Sequence, residues 1–377
     1  MKISSLQENL KNGLQITGHL SGKNINLPIL NNVMIEARDG EIKLIATDLE
    51  IGIVCQIRGK IEEEGSFTVD SKIISDYISL LPNKKVDIEK KDSELLIKSE
   101  NYKTSVKGMS AEDYPVIPQV ERKGCYKVKI SEFKKALSQV IFAVSNSETR
   151  IELTGVLFNL SNKELTLAST DSYRLAEKKI KIKTEGEIPE NRSIIIPAKT
   201  LQEVTKILAI ARNENFDENG GELSFYVSDN QILIIIGNTE LVSRLIEGFY
   251  PDYGQIIPQK NETTIIINRA ELIRAIKAAS IFSKSGSNDI NLDFPLGKNQ
   301  AIISSTSSQS GDNMTELDAT VNGVDNGIVV NYRYLLDGVN AIDSENIRIE
   351  ITNSNTPCVI RGEDDKDYLY IVMPIKQ

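Results

Sequence analysis

The fold of this chain is decided by residues 29–57, which read ILNNVMIEARDGEIKLIATDLEIGIVCQI. Two strand-like runs flank Asp39-Gly40, and Asp-Gly between alternating runs is a strong signal for a β-hairpin. The second run contains Thr47-Asp48, and an aspartate at that point is typical of a turn whose carboxylate accepts backbone N–H groups. The segment therefore predicts antiparallel strands.

The same pattern occurs twice more along the chain. Residues 154–180 read TGVLFNLSNKELTLASTDSYRLAEKKI, and residues 289–308 contain the runs DINLDF and QAIISSTSS. Self-similarity of this kind indicates a protein built from repeated units. The points that match across the three copies are Thr47-Asp48, Thr170-Asp171 and Thr306-Ser307.

Each copy also carries two amphipathic helices, because apolar residues recur three and four positions apart before and after the strands. The order helix, strands, helix, strands predicts three tandem α+β domains, at 1–121, 122–260 and 261–377. Three unrelated α+β domains are the alternative, and the matching order of elements favours the repeat. The predicted helices span 5–18, 71–81, 131–143, 198–212, 268–284 and 331–341.

The composition is that of a folded protein with several domains. With 377 residues, the chain exceeds the roughly 250–300 residues that one hydrophobic core organises. Its 44 Lys and Arg residues against 53 Asp and Glu give a net charge of −9. This balance excludes a protein that coats nucleic acid over its whole surface, so a basic site must be local.

The cysteines and the histidine indicate a compartment and argue against a Cys/His metal site. Three cysteines and one histidine are too scattered for zinc, and such cysteines are typical of a reducing compartment. The first residues lack the apolar run of a signal peptide, and no stretch is apolar for long enough to cross a bilayer. We therefore expect a cytoplasmic protein without a metal or another cofactor.

No arrangement of residues predicts catalysis. The chain lacks the Gly-rich phosphate-binding loop, and His19 lies in a turn-rich segment rather than beside a nucleophile. One alternative is a metal-dependent hydrolase that uses Asp48 and Asp171, and another is a repeat scaffold without a role on DNA. We favour a binding or scaffolding protein.

The predicted helices carry their basic residues opposite their apolar sides. Arg274 and Lys277 share the polar side of the fifth helix, and Lys199 and Lys206 share one face of the fourth. Ordinary amphipathic helices with solvated lysines explain this pattern. A basic lining that holds a polyanion by its phosphates, without reading bases, explains it as well.

Four strings of the sequence point to a known family. They are LPILNNV (27–33), ASTDSYRLA (168–176), FYPDYGQIIP (249–258) and YIVMPIKQ (370–377). Together they resemble the bacterial DNA polymerase III beta subunits, the sliding clamps. The resemblance implies three tandem copies of a DNA-clamp domain, each with two helices packed on antiparallel sheets, in a head-to-tail dimeric ring. It also implies a processivity factor rather than an enzyme, which encircles double-stranded DNA without sequence specificity.

The resemblance further implies partners and sites. The homodimer would tether the replicative DNA polymerase, an ATP-dependent clamp loader and other replication and repair proteins, whose short peptide motifs enter an apolar pocket. The residues assigned to this pocket are Arg150, Leu153, Thr170, Ser172, Tyr173, Arg174, Leu175, Pro251, Gln255, Ile256, Asn331, Tyr334, Ile371, Val372, Met373, Pro374 and Ile375. Those that would face the duplex are Lys11, Lys23, Lys72, Lys134, Lys199, Lys206, Arg274 and Lys277. The dimer interface would use Tyr77, Leu81, Val106, Ile281 and Phe282.

Overall fold

The fold was obtained as a computed structural model that describes residues 1–20, 26–147, 149–210, 221–284, 286–308 and 310–376. Within these residues the six predicted helices are all present, and each begins and ends within one turn of its predicted bounds. They are α1 (Gln7–Gly18), α2 (Ser71–Leu80), α3 (Ile130–Val140), α4 (Ala198–Ile210), α5 (Arg269–Ile281) and α6 (Tyr332–Ala341).

Short polar side chains cap the helices where the chain leaves a strand. The Ile73 N–H donates to Asp70 Oδ1 over 2.8 Å at the start of α2, and the Arg333 N–H donates to Asn331 Oδ1 over 2.9 Å at the start of α6. Asn268 caps α5 in the same way. These caps satisfy backbone donors that have no partner within the helix, so they fix where each helix begins.

The strands follow the three repeats. The first repeat contains β1 (Lys2–Leu6), β2 (Asn32–Arg38), β3 (Glu41–Thr47), β4 (Ile51–Ile57), β5 (Gly59–Glu63), β6 (Gly65–Asp70), β7 (Lys85–Lys91), β8 (Glu94–Ser99) and β9 (Tyr102–Met109). The second contains β10 (Gly124–Lys129), β11 (Gly155–Ser161), β12 (Glu164–Thr170), β13 (Arg174–Lys181), β14 (Lys183–Gly186), β15 (Asn191–Pro197), β16 (Glu222–Val227), β17 (Gln231–Ile236) and β18 (Thr239–Arg244). The third contains β19 (Thr263–Asn268), β20 (Asp289–Phe294), β21 (Gln300–Ser307), β22 (Gly311–Gly323), β23 (Asn326–Asn331), β24 (Asn346–Ile351), β25 (Cys358–Gly362) and β26 (Tyr368–Val372).

The chain divides into two compact units that follow the sheets rather than the repeats. Unit 1 consists of Met1–Lys134, Ile182–Glu190 and Lys199–Leu245, and unit 2 of Lys135–Lys181, Asn191–Ala198 and Ile246–Gln377. The second repeat therefore contributes strands to both units. The domain bounds 1–121, 122–260 and 261–377 stay a prediction.

Unit 1 contains one antiparallel sheet of 14 strands, in the order β14-β10-β16-β17-β18-β4-β3-β2-β6-β9-β8-β7-β1-β5. Helices α1 and α2 pack together through buried side chains such as Leu10, Leu14 and Ile74. The Gln7 Nε2 donates to the carbonyl of Ile78 over 2.8 Å, which ties the start of α1 to the end of α2. This contact is therefore part of the core of the first repeat.

Unit 2 contains one antiparallel sheet of 12 strands, in the order β15-β11-β12-β13-β26-β25-β24-β19-β22-β21-β20-β23. Its helices α5 and α6 repeat the contact of α1 with α2. Arg269 at the start of α5 donates from Nε to the Val339 carbonyl over 2.9 Å and from Nη2 to the Asn340 carbonyl over 3.0 Å. The same position thus ties a helix start to its partner's end in both units.

Each unit joins two repeats by one strand pair, and the two junctions have the same register. β4 of the first repeat pairs with β18 of the second, and β13 of the second pairs with β26 of the third. Both junctions contain five residue pairs and begin four residues after the threonine of a Thr-Asp step. The outer pairs are Ile51–Ser243 and Cys55–Thr239 in the first junction, and Arg174–Val372 and Lys178–Tyr368 in the second.

The Thr-Asp steps form one turn in two copies. Asp48 Oδ1 accepts the N–H groups of residues 50 and 51, and Asp171 Oδ1 accepts those of residues 173 and 174, over 2.8–3.0 Å. Leu49 and Ser172 both have φ near +78°. Both carboxylates therefore serve the backbone turn, which favours that interpretation over catalysis. In the third copy a serine follows the threonine, and both Thr306 and Ser307 belong to strand β21, where they pair with β22.

No helix among the described residues is both long and apolar enough to cross a membrane.

Candidate functional site

The predicted pocket residues lie in unit 2, where backbone pairing brings most of them together. β13 pairs with β26, which places Leu175 opposite Ile371. After β26 the Met373 N–H donates to the Tyr173 carbonyl over 2.9 Å, and the Ile375 N–H donates to a carbonyl of β23 over 2.8 Å. The end of the chain therefore contacts the start of β13 and then β23.

An apolar cluster forms the floor of this site. Its buried members are Leu175, Val359, Leu369 and Ile371, with Tyr253, Ile257 and Met373 packed against them. The unbranched, polarizable side chain of Met373 adapts to apolar ligands of different shape. The arrangement suits aliphatic or aromatic side chains of a bound peptide.

Burial separates the predicted pocket residues into a floor and a rim. Tyr173 exposes 62% of its surface and Ile256 exposes 36%, so both are available to a ligand. Leu175 and Ile371 of the floor, and Leu153 and Val372 outside that cluster, are at most 1% exposed. Thr170 is also buried, Arg150, Ser172 and Gln255 are exposed, and Arg174, Pro251, Asn331, Tyr334, Met373, Pro374 and Ile375 are intermediate. The floor supports the site, and the rim and the intermediate residues offer the contact surface.

Arg174 holds three elements together beside the floor. Its Nε donates to Asp171 Oδ2 over 2.9 Å, its Nη1 to Asp337 Oδ2 of α6 over 2.6 Å, and its Nη2 to the Phe142 carbonyl over 2.8 Å. The guanidinium also lies 4.7 Å from the ring centroid of Tyr334, within the range of a cation–π contact. The Arg174 side chain is 11% exposed, so these bonds operate with little competition from water.

The polar rim is ordered by contacts between side chains. The rings of Tyr173 and Tyr334 stack with centroids 6.2 Å apart. Arg150 Nη1 donates to Ser172 Oγ over 3.0 Å, and its Nε pairs with Glu152 over 3.2 Å. Arg150 thus holds Ser172 in position, and Tyr334 holds Tyr173.

Two tyrosines that the sequence analysis did not assign hold residues 251–256 in place. The Tyr250 hydroxyl accepts the Thr170 N–H over 3.0 Å, and the Tyr253 hydroxyl donates to Glu177 Oε2 over 2.6 Å. Burial raises the pKa of both phenols well above the usual range, so both hydroxyls keep their protons at a pH where an exposed tyrosine ionises. The string FYPDY contained both rings, but their partners lie far away in sequence.

The predicted duplex-facing cations differ in their surroundings. Lys199 pairs with Asp48 over 2.6 Å, across the first strand junction. Lys72, Lys206 and Arg274 pair with Asp76, Glu203 and Glu271 on their own helices, over 2.6, 2.7 and 3.7 Å. Lys11, Lys134 and Lys277 form no ion pair with any described residue, and Lys23 lies outside the described residues. Exposed pairs exchange readily, so the paired cations remain available to phosphates.

Two strand edges are open among the described residues, and of the predicted interface residues Val106 lies on one edge and Phe282 lies near the start of the other. Along β9, residues 102–107 pair with β8 alone, because β6 reaches only Gly108 and Met109. Along β22, residues 311–318 pair with β21 alone. Ile281 is 71% exposed, Tyr77 and Phe282 are intermediate, and Val106 and Leu81 are buried within the chain. Leu80, which the sequence analysis did not assign, is 80% exposed.

Comparison with known proteins finds one family along the whole chain. Residues 1–118, 127–252 and 254–376 match the N-terminal, central and C-terminal domains described for the DNA polymerase III beta subunit. The beta sliding clamp of Staphylococcus aureus is 31% identical over 362 residues, which cover 93% of this chain and 92% of that protein. The beta sliding clamp of Staphylococcus epidermidis is 30% identical over 360 residues, with the same coverage.

Solved structures give the same result. The DNA polymerase sliding clamp of Bacillus subtilis superposes with a TM-score of 0.92 at 29% identity, covering 100% of this chain and 99% of that one. The DNA polymerase III beta subunit of Thermotoga maritima superposes with a TM-score of 0.90 at 26% identity and the same coverage.

Proposed function

Because this chain belongs to the family of bacterial DNA polymerase III beta subunits, we propose that two copies close head to tail into a ring around duplex DNA. The ring serves as the processivity factor of the replicative polymerase, in the cytoplasm, without catalysing a reaction. The observation that carries this proposal is the pair of equivalent strand junctions. The equivalent edges of β9 and β22 have no such partner within the described chain.

The repeat explains why closure needs a second copy. β4 and β13 are equivalent strands, and so are β18 and β26, because both junctions share one register. The first half of β22 corresponds to β4 and β13, and β9 corresponds to β18 and β26. Both of these strands lack the partner that their equivalents have. Open edges of this length favour association, and pairing β9 of one copy with β22 of the other would remove both.

The register of the closed seam follows from the internal junctions. Thr306 pairs with Asp312 as Thr47 pairs with Gly52 and Thr170 with Leu175. If β22 of one copy pairs with β9 of the other in the register of the internal junctions, Asp312 lies opposite Ser105 and Met314 lies opposite Lys103.

Charges on the two edges are complementary. In the transferred register, Lys103 lies diagonally between Asp312 and Glu316 on one face of the seam, a favourable cross-strand arrangement. Lys103 is also directly opposite Lys98 on the neighbouring strand β8, which is unfavourable in the isolated chain. The acidic residues of β22 would relieve that repulsion.

The attachment to DNA is topological. Lysines and arginines of the helices contact phosphates through long side chains, and such contacts carry no sequence information. Because several of these cations already pair with neighbouring carboxylates, individual phosphate contacts are weak. The closed ring therefore slides along DNA and leaves it only when a seam opens.

The pocket of unit 2 tethers the partners. The polymerase, the ATP-dependent clamp loader and other replication and repair proteins insert short apolar motifs over the floor around Leu175 and Met373. A modest affinity is enough, because a tethered polymerase stays at high effective concentration near the primer end.

The test is retention on nicked circular DNA after loading with the cognate loader and ATP, followed by a wash at high salt. We expect the protein to stay on the circle and to leave once the DNA is cut to linear form. Release from circles and linear DNA alike in high salt would contradict the ring. The Bacillus subtilis sliding clamp with its own loader, run in parallel, controls the assay.

A further inference from the structure

We propose that Phe249 and Ile151 form an outer patch that extends the peptide pocket and binds an additional apolar side chain of the same partner polypeptide. This inference rests on the proposed function of the pocket.

The outer patch is unusually exposed. Phe249 exposes 98% of its surface, the largest fraction among the exposed large hydrophobic residues of the described chain, and Ile151 exposes 59%. Gly248, which precedes Phe249, has φ near +141°, a conformation that favours glycine. A fully solvated phenylalanine buries no apolar surface on folding, so the whole ring is available to a contact outside the chain.

The repeat shows that the fold does not need an apolar residue at this position. Tyr250-Pro251 in unit 2 corresponds to Tyr114-Pro115 in unit 1, and both tyrosines bond through their hydroxyls to the strand that ends in a Thr-Asp turn or to its turn. The residue before Tyr114 is Asp113, which is also exposed. A carboxylate therefore serves where Phe249 stands, and only the copy with the pocket carries the aromatic ring.

The outer patch is continuous with the pocket by two routes. Along the chain, Phe249 precedes Tyr250, whose hydroxyl accepts the N–H of the pocket residue Thr170. Across the surface, a Cβ on Gly248 would lie 3.7 Å from Glu152 Cβ. Glu152 pairs with Arg150, which in turn bonds to Ser172 at the rim.

This arrangement defines the ligand. An extended peptide that leaves the pocket past Arg150 would place its next residues over Ile151 and Phe249. An aliphatic or aromatic side chain there would cover both, since aromatic anchors contribute strongly to binding when they become desolvated. The occupant is thus a flanking segment of a pocket-binding polypeptide.

The experiment uses overlapping 24-residue peptides that span the catalytic subunit of the replicative polymerase from the same organism. Peptides that bind the wild type but not Met373→Asp are taken as pocket-dependent.

We expect Phe249→Asp, which introduces the residue type found at the equivalent position of the first repeat, to weaken the binding of at least one of these peptides by roughly tenfold. Trimming the flanking residues of that peptide should weaken wild type and remove the difference. Val116→Asp, at a valine of unit 1 that is 91% exposed, is the matched control and should bind as wild type.

Three outcomes would overturn the inference. Affinities of every pocket-dependent peptide within twofold of wild type in Phe249→Asp would leave the outer patch without a role in binding. A change in sedimentation of Phe249→Asp, with peptide affinity intact, would make the patch a contact between copies. Absence of any pocket-dependent peptide would contradict the proposed function itself. A peptide array of the clamp loader subunits repeats the test with a second partner.

Discussion

At the scale of single residues, Arg174 shows what the sequence reveals and what it does not. The resemblance of the string that contains it predicted a pocket residue. Its partners Asp337 and Phe142 are separated from it by 163 and 32 residues, and no local pattern relates them. Periodicity predicts which face of an element is buried, whereas contacts between distant polar side chains depend on how the elements pack.

We expect Arg174→Ala to lower both stability and peptide binding. The substitution removes two ion pairs and leaves Asp171, whose side chain is only 14% exposed, with one partner fewer. Loss of one member of a largely buried pair costs about 2 kcal/mol or more in the free energy of unfolding. Urea denaturation and peptide titration measure the two effects.

Arg333→Ala is the matched control. Arg333 also lies near a tyrosine ring, 5.8 Å from the centroid of Tyr332, but is exposed. Its removal should change the free energy of unfolding by less than about 0.5 kcal/mol. If both variants are equally stable, Arg174 does not hold the pocket together.

At the scale of elements, the sequence predicted the strands and helices but not the partners of the strands. Alternation and Asp39-Gly40 identify the hairpin of β2 and β3, because that contact is local. The pairing of β4 with β18 joins residues almost 190 positions apart, and alternation carries no information about such a partner. The junctions and the open edges could therefore be identified only from the folded structure.

We expect Lys103→Glu to convert the proposed dimer into monomers. The substitution places a carboxylate between Asp312 and Glu316 in the seam, and like charges across a strand pair repel. Sedimentation velocity should show a lower mass, with circular dichroism unchanged because Lys103 is exposed in the isolated chain.

Glu316→Lys in the same chain tests the register. The double variant should recover the dimer at least in part, since it exchanges the two charges across the seam. Lys163→Glu, in the exposed turn between β11 and β12, is the control and should remain dimeric. A dimer that persists in Lys103→Glu at the same concentration would refute this register.

At the scale of the whole molecule, three repeats are organised as two sheets. The sequence predicted the repeats because each copy keeps its own helix and strand pattern. It could not predict that the second copy divides its strands between units, since that division results from pairing across repeat boundaries. Buried apolar residues lie in both units, so both units contribute to the stability of the fold.

Buried tyrosines in both units predict loss of stability at alkaline pH. Burial raises the pKa of Tyr114 to about 12, and raises the pKa of Tyr250, Tyr253, Tyr368 and Tyr370 well above 10. The folded chain then keeps protons that the unfolded chain releases near pH 10, so stability is complete below pH 10 and falls as the pH rises towards 12.

Tyr114→Phe isolates one contribution. It should flatten the decline between pH 10 and 12 by about 1.4 kcal/mol per pH unit at most, the value for one titrating group. Its hydroxyl donates to the carbonyls of Asn32 and Ile45, so the variant is less stable at neutral pH. Urea denaturation at several pH values measures both effects, and pH 7 to 9 serves as the control window. An identical slope above pH 10 would contradict the role of Tyr114.

The shared register of the junctions has a consequence for how far a polymerase copies before it falls off. A ring of two such chains has six junctions between repeats, of which four lie inside a chain and survive any dilution. Only the two seams can part, each with five residue pairs if they match the internal ones. In the proposed ring, the length of DNA replicated per loading event would be governed by those few pairs, while the remainder of the molecule would only have to stay folded.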